Sequence, residues 1–243
     1  MLFDRGDEGR SCKPVFRALA HLPDNYHLAI IGNGFHDCAA GYKRELDDQL
    51  AAEQLGGRIH RLPPVAAEQL PTYAGGADVG VIGLDPAHSG ERLLLPRCLF
   101  DCIAARLPVA AADLPEIQQV LTRHGAGLQF DPGEPRSVAA TLKTLMQEKE
   151  RLRPGLDRAA RELVWSRNER VLMAPFAGIG AVTMLCAEPH ADHDRTGRIA
   201  STLVDHGIEV TIARAVPNDT LPAAAPRQPE VPRTTVIDIP IDI

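Results

Sequence analysis

Arg97 and Asp101 stand one helical turn apart at the start of a segment, Leu95–Ala105, that reads as a helix. A helix start leaves N–H groups without intrahelical partners and carries the positive end of the dipole. Leu95 and Pro96 therefore mark a place suited to a diphosphate, Arg97 a cation to pair with it, and Asp101 an acceptor for ribose hydroxyls. The same two side chains also fit a plain surface pair worth about 0.2–0.5 kcal/mol. Gly32-Asn33-Gly34 follows a strand as a dinucleotide fingerprint would, but Asp37 occupies the place of the third glycine. What Gly32 and Gly34 keep is a tight turn where backbone can approach a ligand. His190, Asp192, His193 and Asp194 have the ligand chemistry of zinc or manganese. They share a single expected loop with no partner cluster elsewhere, and Asp194 also suits the N-cap of the next helix, so no metal is expected. The remaining histidines stand singly, and Ser89-Gly90 lacks the context of a nucleophile elbow. The residues by themselves assign no catalytic group.

Composition narrows the classes. With 26 Lys and Arg against 32 Asp and Glu in 243 residues, the formal charge is −6, and no basic run offers a footprint for nucleic acid. No apolar run approaches the roughly 20 residues that cross a bilayer. The opening MLFDRGDEGR is charged at once, unlike a secretory leader. The 5 cysteines are scattered, with no CxxC pair, which predicts reduced thiols and a cytoplasmic location. Cys98 and Cys102 read as small core hydrophobes.

These residues need elements to position them. From Pro14 to Phe130 the chain alternates expected helices with short strands that are apolar on both faces. The strands are His27–Ile31, Arg58–Leu62, Asp78–Leu84, Pro108–Ala112 and Gly127–Phe130. The helices between them are Pro14–Leu22, Gly41–Leu55, Ala67–Ala74, Leu95–Ala105 and Pro115–Arg123. Such alternation predicts a doubly wound, Rossmann-like parallel sheet with helices on both faces and a binding crevice at the carboxyl ends of its strands. An amphipathic helix, Pro135–Glu150, and a second helix, 156–172, close this part. After Met173-Ala174-Pro175 the texture changes to strand, helix and two further strands around a Pro/Ala-rich loop (Pro217 to Pro232). The expected division is thus 1–173 and 174–243, the latter a partial second α/β unit.

Residues 14–173 resemble the donor-binding lobe of retaining glycosyltransferases built from two Rossmann-like lobes. The landmarks occur in family order: LAIIGNG at 28–34, GRIHRLPPV at 57–65, LPTYAGGADVGVIGL at 70–84, LPRCLFDCIAARLPVAAADLPEI at 95–117 and GAGLQFDPGEP at 125–135. The resemblance implies a nucleotide-sugar as co-substrate rather than a resident cofactor. It places the base near Pro64 and Val65, the phosphates near Leu95 and Pro96, and the ribose at Asp101. The chain also departs from the pattern. Many members carry a pair of glutamates at the positions held here by Leu93 and Asp101. A branch reads Pro-Asn-Lys-Leu-Phe-Glu where this chain has Pro96-Arg97-Cys98-Leu99-Phe100-Asp101. The family's opening strand has no clear counterpart before Pro14, and the nearby cations Arg10 and Lys13 have no assigned role. Asp194 onward, with Ala200, Leu203, Gly207 and Glu209-Val210-Thr211, resembles the start of an acceptor lobe.

The expected function is therefore glycosyl transfer from a nucleotide-sugar donor to an unidentified acceptor, in degenerate or fragmentary form. Pairing with a missing lobe or a second chain would supply the acceptor side. The alternative is a non-catalytic module on the same fold, for which Leu93 and the lost lysine argue. A nicotinamide oxidoreductase is disfavoured by the failed glycine fingerprint.

Overall fold

The structure, a computed structural model, describes residues 2–3, 13–31, 51, 55–63, 65–66, 69–84, 95–186, 195–217 and 234–241. The chain falls into two compact units, 1–164 and 165–243.

In the first unit the strands are β1 (Leu2–Phe3), β2 (Leu28–Ile31), β3 (Ile59–Leu62), β4 (Gly80–Ile82), β5 (Val109–Ala112) and β6 (Gly127–Phe130). They form a parallel 6-stranded sheet in the order β3-β2-β1-β4-β5-β6. This is the doubly wound order, with its topological switch between β1 and β4. The helices are α1 (Lys13–Ala18, continued as a 3-10 turn to His21), α2 (Leu70–Ala74), α3 (Arg97–Ala104), α4 (Pro115–His124) and α5 (Pro135–Glu162). The sheet grows one way from β1 to β3 and the other way from β4 to β6. Right-handed crossovers therefore put α1 on one face and α3 and α4 on the other. The middle strands are the most deeply buried, with Val109, Ala110, Ala111 and Ala112 fully enclosed.

Two sequence expectations are corrected here. The opening strand exists: Leu2 pairs in register with Ile30 and Val81, and Phe3 with Ile31, at the centre of the sheet. The helices expected at 135–150 and 156–172 are one helix over Pro135–Glu162, and the next begins only at Trp165. Pro154 lies inside that helix. Its ring removes one backbone bond and is disfavoured there, but tertiary packing outweighs it. Leu152, Leu156 and Ala159 are buried, and Gly155 lies so close to the carbonyls of His124 and Gly125 that a Cβ would overlap them. Lys143 Nζ donates to His21 O (2.9 Å), Lys149 Nζ to Asp78 (2.7 Å) and Arg158 to His124 O (3.2 Å), which ties α5 along the amino ends of the strands. The helix expected at Gly41–Leu55 lies almost wholly outside the described residues.

In the second unit, α6 (Trp165–Met173), β7 (Ala181–Cys186), α7 (Arg195–Asp205), β8 (Glu209–Pro217) and β9 (Thr234–Ile241) form a parallel sheet in the order β7-β8-β9. One sheet face, with Val182, Met184, Val210, Ile212 and Val236, packs on Ala200 and Leu203 of α7. Alternation turns the other residues outward, Leu185 among them at 80% exposure. Residues 165–173, which read as part of the first lobe, group with this unit. Trp165 Nε1 donates to Thr202 Oγ1 at 2.9 Å, anchoring α6 on α7. No helix among the described residues is long and apolar enough to cross a membrane.

Candidate functional site

The carboxyl edge of the first sheet collects the starts of α3 and α4 and the segments that follow each strand. Of the residues singled out in the sequence, Val65, Leu95, Pro96, Arg97 and Asp101 are described. Gly32, Gly34 and Pro64 lie outside the described residues, as do Leu93, Ser89, Arg10 and the cluster His190, Asp192, His193 and Asp194.

α3 follows β4, the strand beside the switch point, so its N-terminus opens on the crevice that parallel sheets of this order use for ligands. Pro96 is the N-cap, with φ −70° and ψ 143°, and supplies no side-chain cap. Proline suits this place because it fixes φ and pre-sets the entry to the helix. No acidic residue stands in the first turn, so no side-chain oxygen of the cap or first turn competes for the N–H groups there. Leu99, Cys102 and Ile103 are buried and hold α3 on the sheet. Gly80 in β4 makes that docking close, since a Cβ there would overlap Cys102 Sγ. At the far end Arg106 adopts a left-handed φ of 58°, and its Nε donates to Asp157 of α5 at 2.8 Å. The helix is thus fixed through its middle and at its C-terminal end.

Arg97 and Asp101 come together on this helix. Arg97 Nε lies 3.6 Å from Asp101 Oδ2, with the side chains only 27% and 13% exposed. The pair is half-buried, so its geometry is set by packing as well as by attraction. A guanidinium and a carboxylate stand at a helix start, which is the kind of donor and acceptor set that suits a nucleoside diphosphate. Val65, after β3, is partly buried and packs against the core. Burial pushes the Cys102 thiol well up, with Cys98 adding to the shift, so Cys102 is packing and not a nucleophile. Leu2–Phe3 and Gly80, which position α3 or the switch point, were missed in the sequence. An apolar dipeptide ahead of a charged run and a glycine beginning an apolar strand were their only signals.

No protein-family model and no curated protein matches the sequence. Solved structures do match. HepE from Anabaena, solved in complex with UDP, superposes with a TM-score of 0.60 at 18% identity, over 72% of this chain and 48% of that one. Sucrose-phosphate synthase from Thermosynechococcus elongatus gives 0.58 at 17% identity, over 72% and 45%. The C-terminal domain of a group 1 glycosyl transferase (LpcC) from Francisella tularensis gives 0.51 at 14% identity, over 66% and 80%. The chain spans about half the length of the first two. Its fold is that of the two-lobed glycosyltransferases, a Rossmann-like α/β lobe, here accompanied by a smaller parallel α/β unit.

Proposed function

We propose that the first unit binds a nucleotide-sugar and that the chain is a glycosyltransferase-like protein which transfers the sugar to an acceptor. The observation that carries this reading is the start of α3 beside the switch point, where Pro96 supplies no side-chain cap and Arg97 and Asp101 stand on the first turns. HepE, which this chain resembles in fold, has been solved with UDP-glucose as well as with UDP. The diphosphate would sit at Leu95 and Pro96, on the α3 N–H groups. Arg97 would turn from Asp101 to the phosphates, and the released carboxylate would accept from the ribose hydroxyls. The base would lie near Pro64 and Val65, and Gly32 and Gly34 would belong to the same nucleotide site. In transfer, the helix dipole and Arg97 stabilise the charge that develops on the departing diphosphate. The donor is a co-substrate, and this scheme needs no resident cofactor. The acceptor groups would come from another lobe or a second chain, in a cytoplasmic setting.

A second reading, a non-catalytic module, is favoured by one observation. Arg97 and Asp101 already face one another as an ion pair, and Leu93 stands where many of the resembling enzymes carry a carboxylate. Calorimetric titration of the full chain with uridine, guanosine and adenosine diphosphates separates the two. Saturable binding in the micromolar range supports the donor site, and no binding by any of the three sinks it.

A further inference from the structure

The first unit contains a cavity of about 390 Å³ that extends from the amino ends of β2 and β4 to Leu62, the last residue of β3. Ligand sites run from about 300 to 1,000 Å³, and at about 30 Å³ per water this one holds roughly a dozen water-sized groups. Its walls are mostly apolar, with Leu28, Val79, Val81, Leu142 and Met146 among them. Asn25, Tyr26 and Asp78 also line it, and an exposed imidazole pair stands at its mouth. His27 and His60 project from the same face of the β2–β3 pair, where Ala29 is in register with His60. Their rings stack at 5.1 Å between centroids, inclined by 22°, and His27 Nδ1 lies 2.9 Å from His60 Nε2. At the rim, Leu62 and Tyr73 are 39% and 53% exposed, apolar area that an occupant would cover.

The hydrogen count of the imidazole pair selects the ligand. Two neutral rings hold two N–H hydrogens between four nitrogens, and one hydrogen is spent on the bond they share. One N–H and one bare nitrogen remain for a ligand. A single added proton gives two remaining N–H groups and a positive charge, which matches a carboxylate. The charged groups nearest in the lining do not oppose it, because Asp78 is neutralised by Lys149 at 2.7 Å. We propose that this cavity is a binding site for a small molecule with a flat or branched apolar body and one carboxylate, held at the His27–His60 pair.

The test uses the full chain with indole-3-acetate, and its neutral amide as the matched control. The acid should bind saturably and about tenfold more tightly than the amide, as a charge-assisted hydrogen bond implies. The imidazole resonances of His27 and His60 should move with occupancy. His60→Phe keeps a stacked ring and should abolish the preference for the acid. Ala29→Leu fills the cavity and should weaken both probes at least tenfold, with the circular dichroism spectrum unchanged. Equal affinity for acid and amide overturns the proposal, as does binding that leaves the two imidazoles unmoved. Absence of saturable binding does the same. If Ala29→Leu disturbs the fold, the His60→Phe comparison decides alone.

Discussion

Asp101 has two potential partners, and binding decides between them. Its carboxylate faces Arg97 at 3.6 Å and is largely shielded from solvent. If ribose hydroxyls replace the guanidinium, Asp101→Asn removes a charged hydrogen bond worth about 1.5–3 kcal/mol, or roughly tenfold to a hundredfold in nucleoside diphosphate affinity. Glu150→Gln, at an exposed position of α5, is the control. Calorimetry showing equal, negligible effects would remove the site. Cys98→Lys adds a cation in the first turn of α3 and should tighten a diphosphate by about twofold to fivefold at low salt. Unchanged affinity with an intact fold counts against phosphates there. Cys102 behaves oppositely to a reactive thiol. Burial pushes its ionisation up, so thiolate is scarce at neutral pH, and iodoacetamide should label it only after denaturant is added.

Elements were legible where the pattern was dense and obscure where it was sparse. The strands at 109–112 and 127–130 show themselves as apolar runs bounded by proline and glycine, and their places differ little from those expected. β1 is a strand of 2 residues and no periodicity can be read from so short a run. Pro154 misleads for a different reason, because local propensity forecasts a break while the buried stripe through Leu152, Leu156 and Ala159 keeps the helix whole. At the candidate site, Arg97 and Asp101 were visible because helix periodicity brings them together. The His27–His60 pair was not, because only strand register joins residues so distant in sequence. Gly80 connects sheet to site, and its worth can be measured. Gly80→Ala forces a methyl group onto Cys102 Sγ and should cost about 1–3 kcal/mol in urea denaturation. Combining it with Cys102→Ala should recover most of that loss, since the obstructing sulfur is gone. A double variant as unstable as Gly80→Ala alone would show that the close contact is not what requires glycine.

At the scale of the whole molecule, the two units differ in how much core they possess. The first encloses its middle strands between helices, and its buried cluster runs from Val15 to Ala159. The second has a cluster of Ala200, Leu203, Ile208, Val210 and Ile212, with Leu185 and Ile237 exposed on the sheet face away from α7. Parallel sheets ordinarily bury both faces, so one packed face leaves much of the apolar stabilisation of this unit unrealised. Chains of this size bury a smaller share of their surface and are marginal without reinforcement. Unequal stability is therefore expected, and the sequence contains its own reporter. Trp165 is the single tryptophan, and its indole N–H is bonded to Thr202 inside the second unit. Its emission should follow that unit, whereas far-ultraviolet circular dichroism is dominated by the helices of the first, α5 above all. In a urea titration of the full chain, the tryptophan transition should come at lower denaturant than the dichroism transition, with the smaller slope of a smaller unit. Thr202→Val, which removes the indole's partner, should move the tryptophan transition lower still and leave the main dichroism transition in place. Coincident transitions in wild type and variant would show that the two units unfold as one, and that the second is not the weaker part.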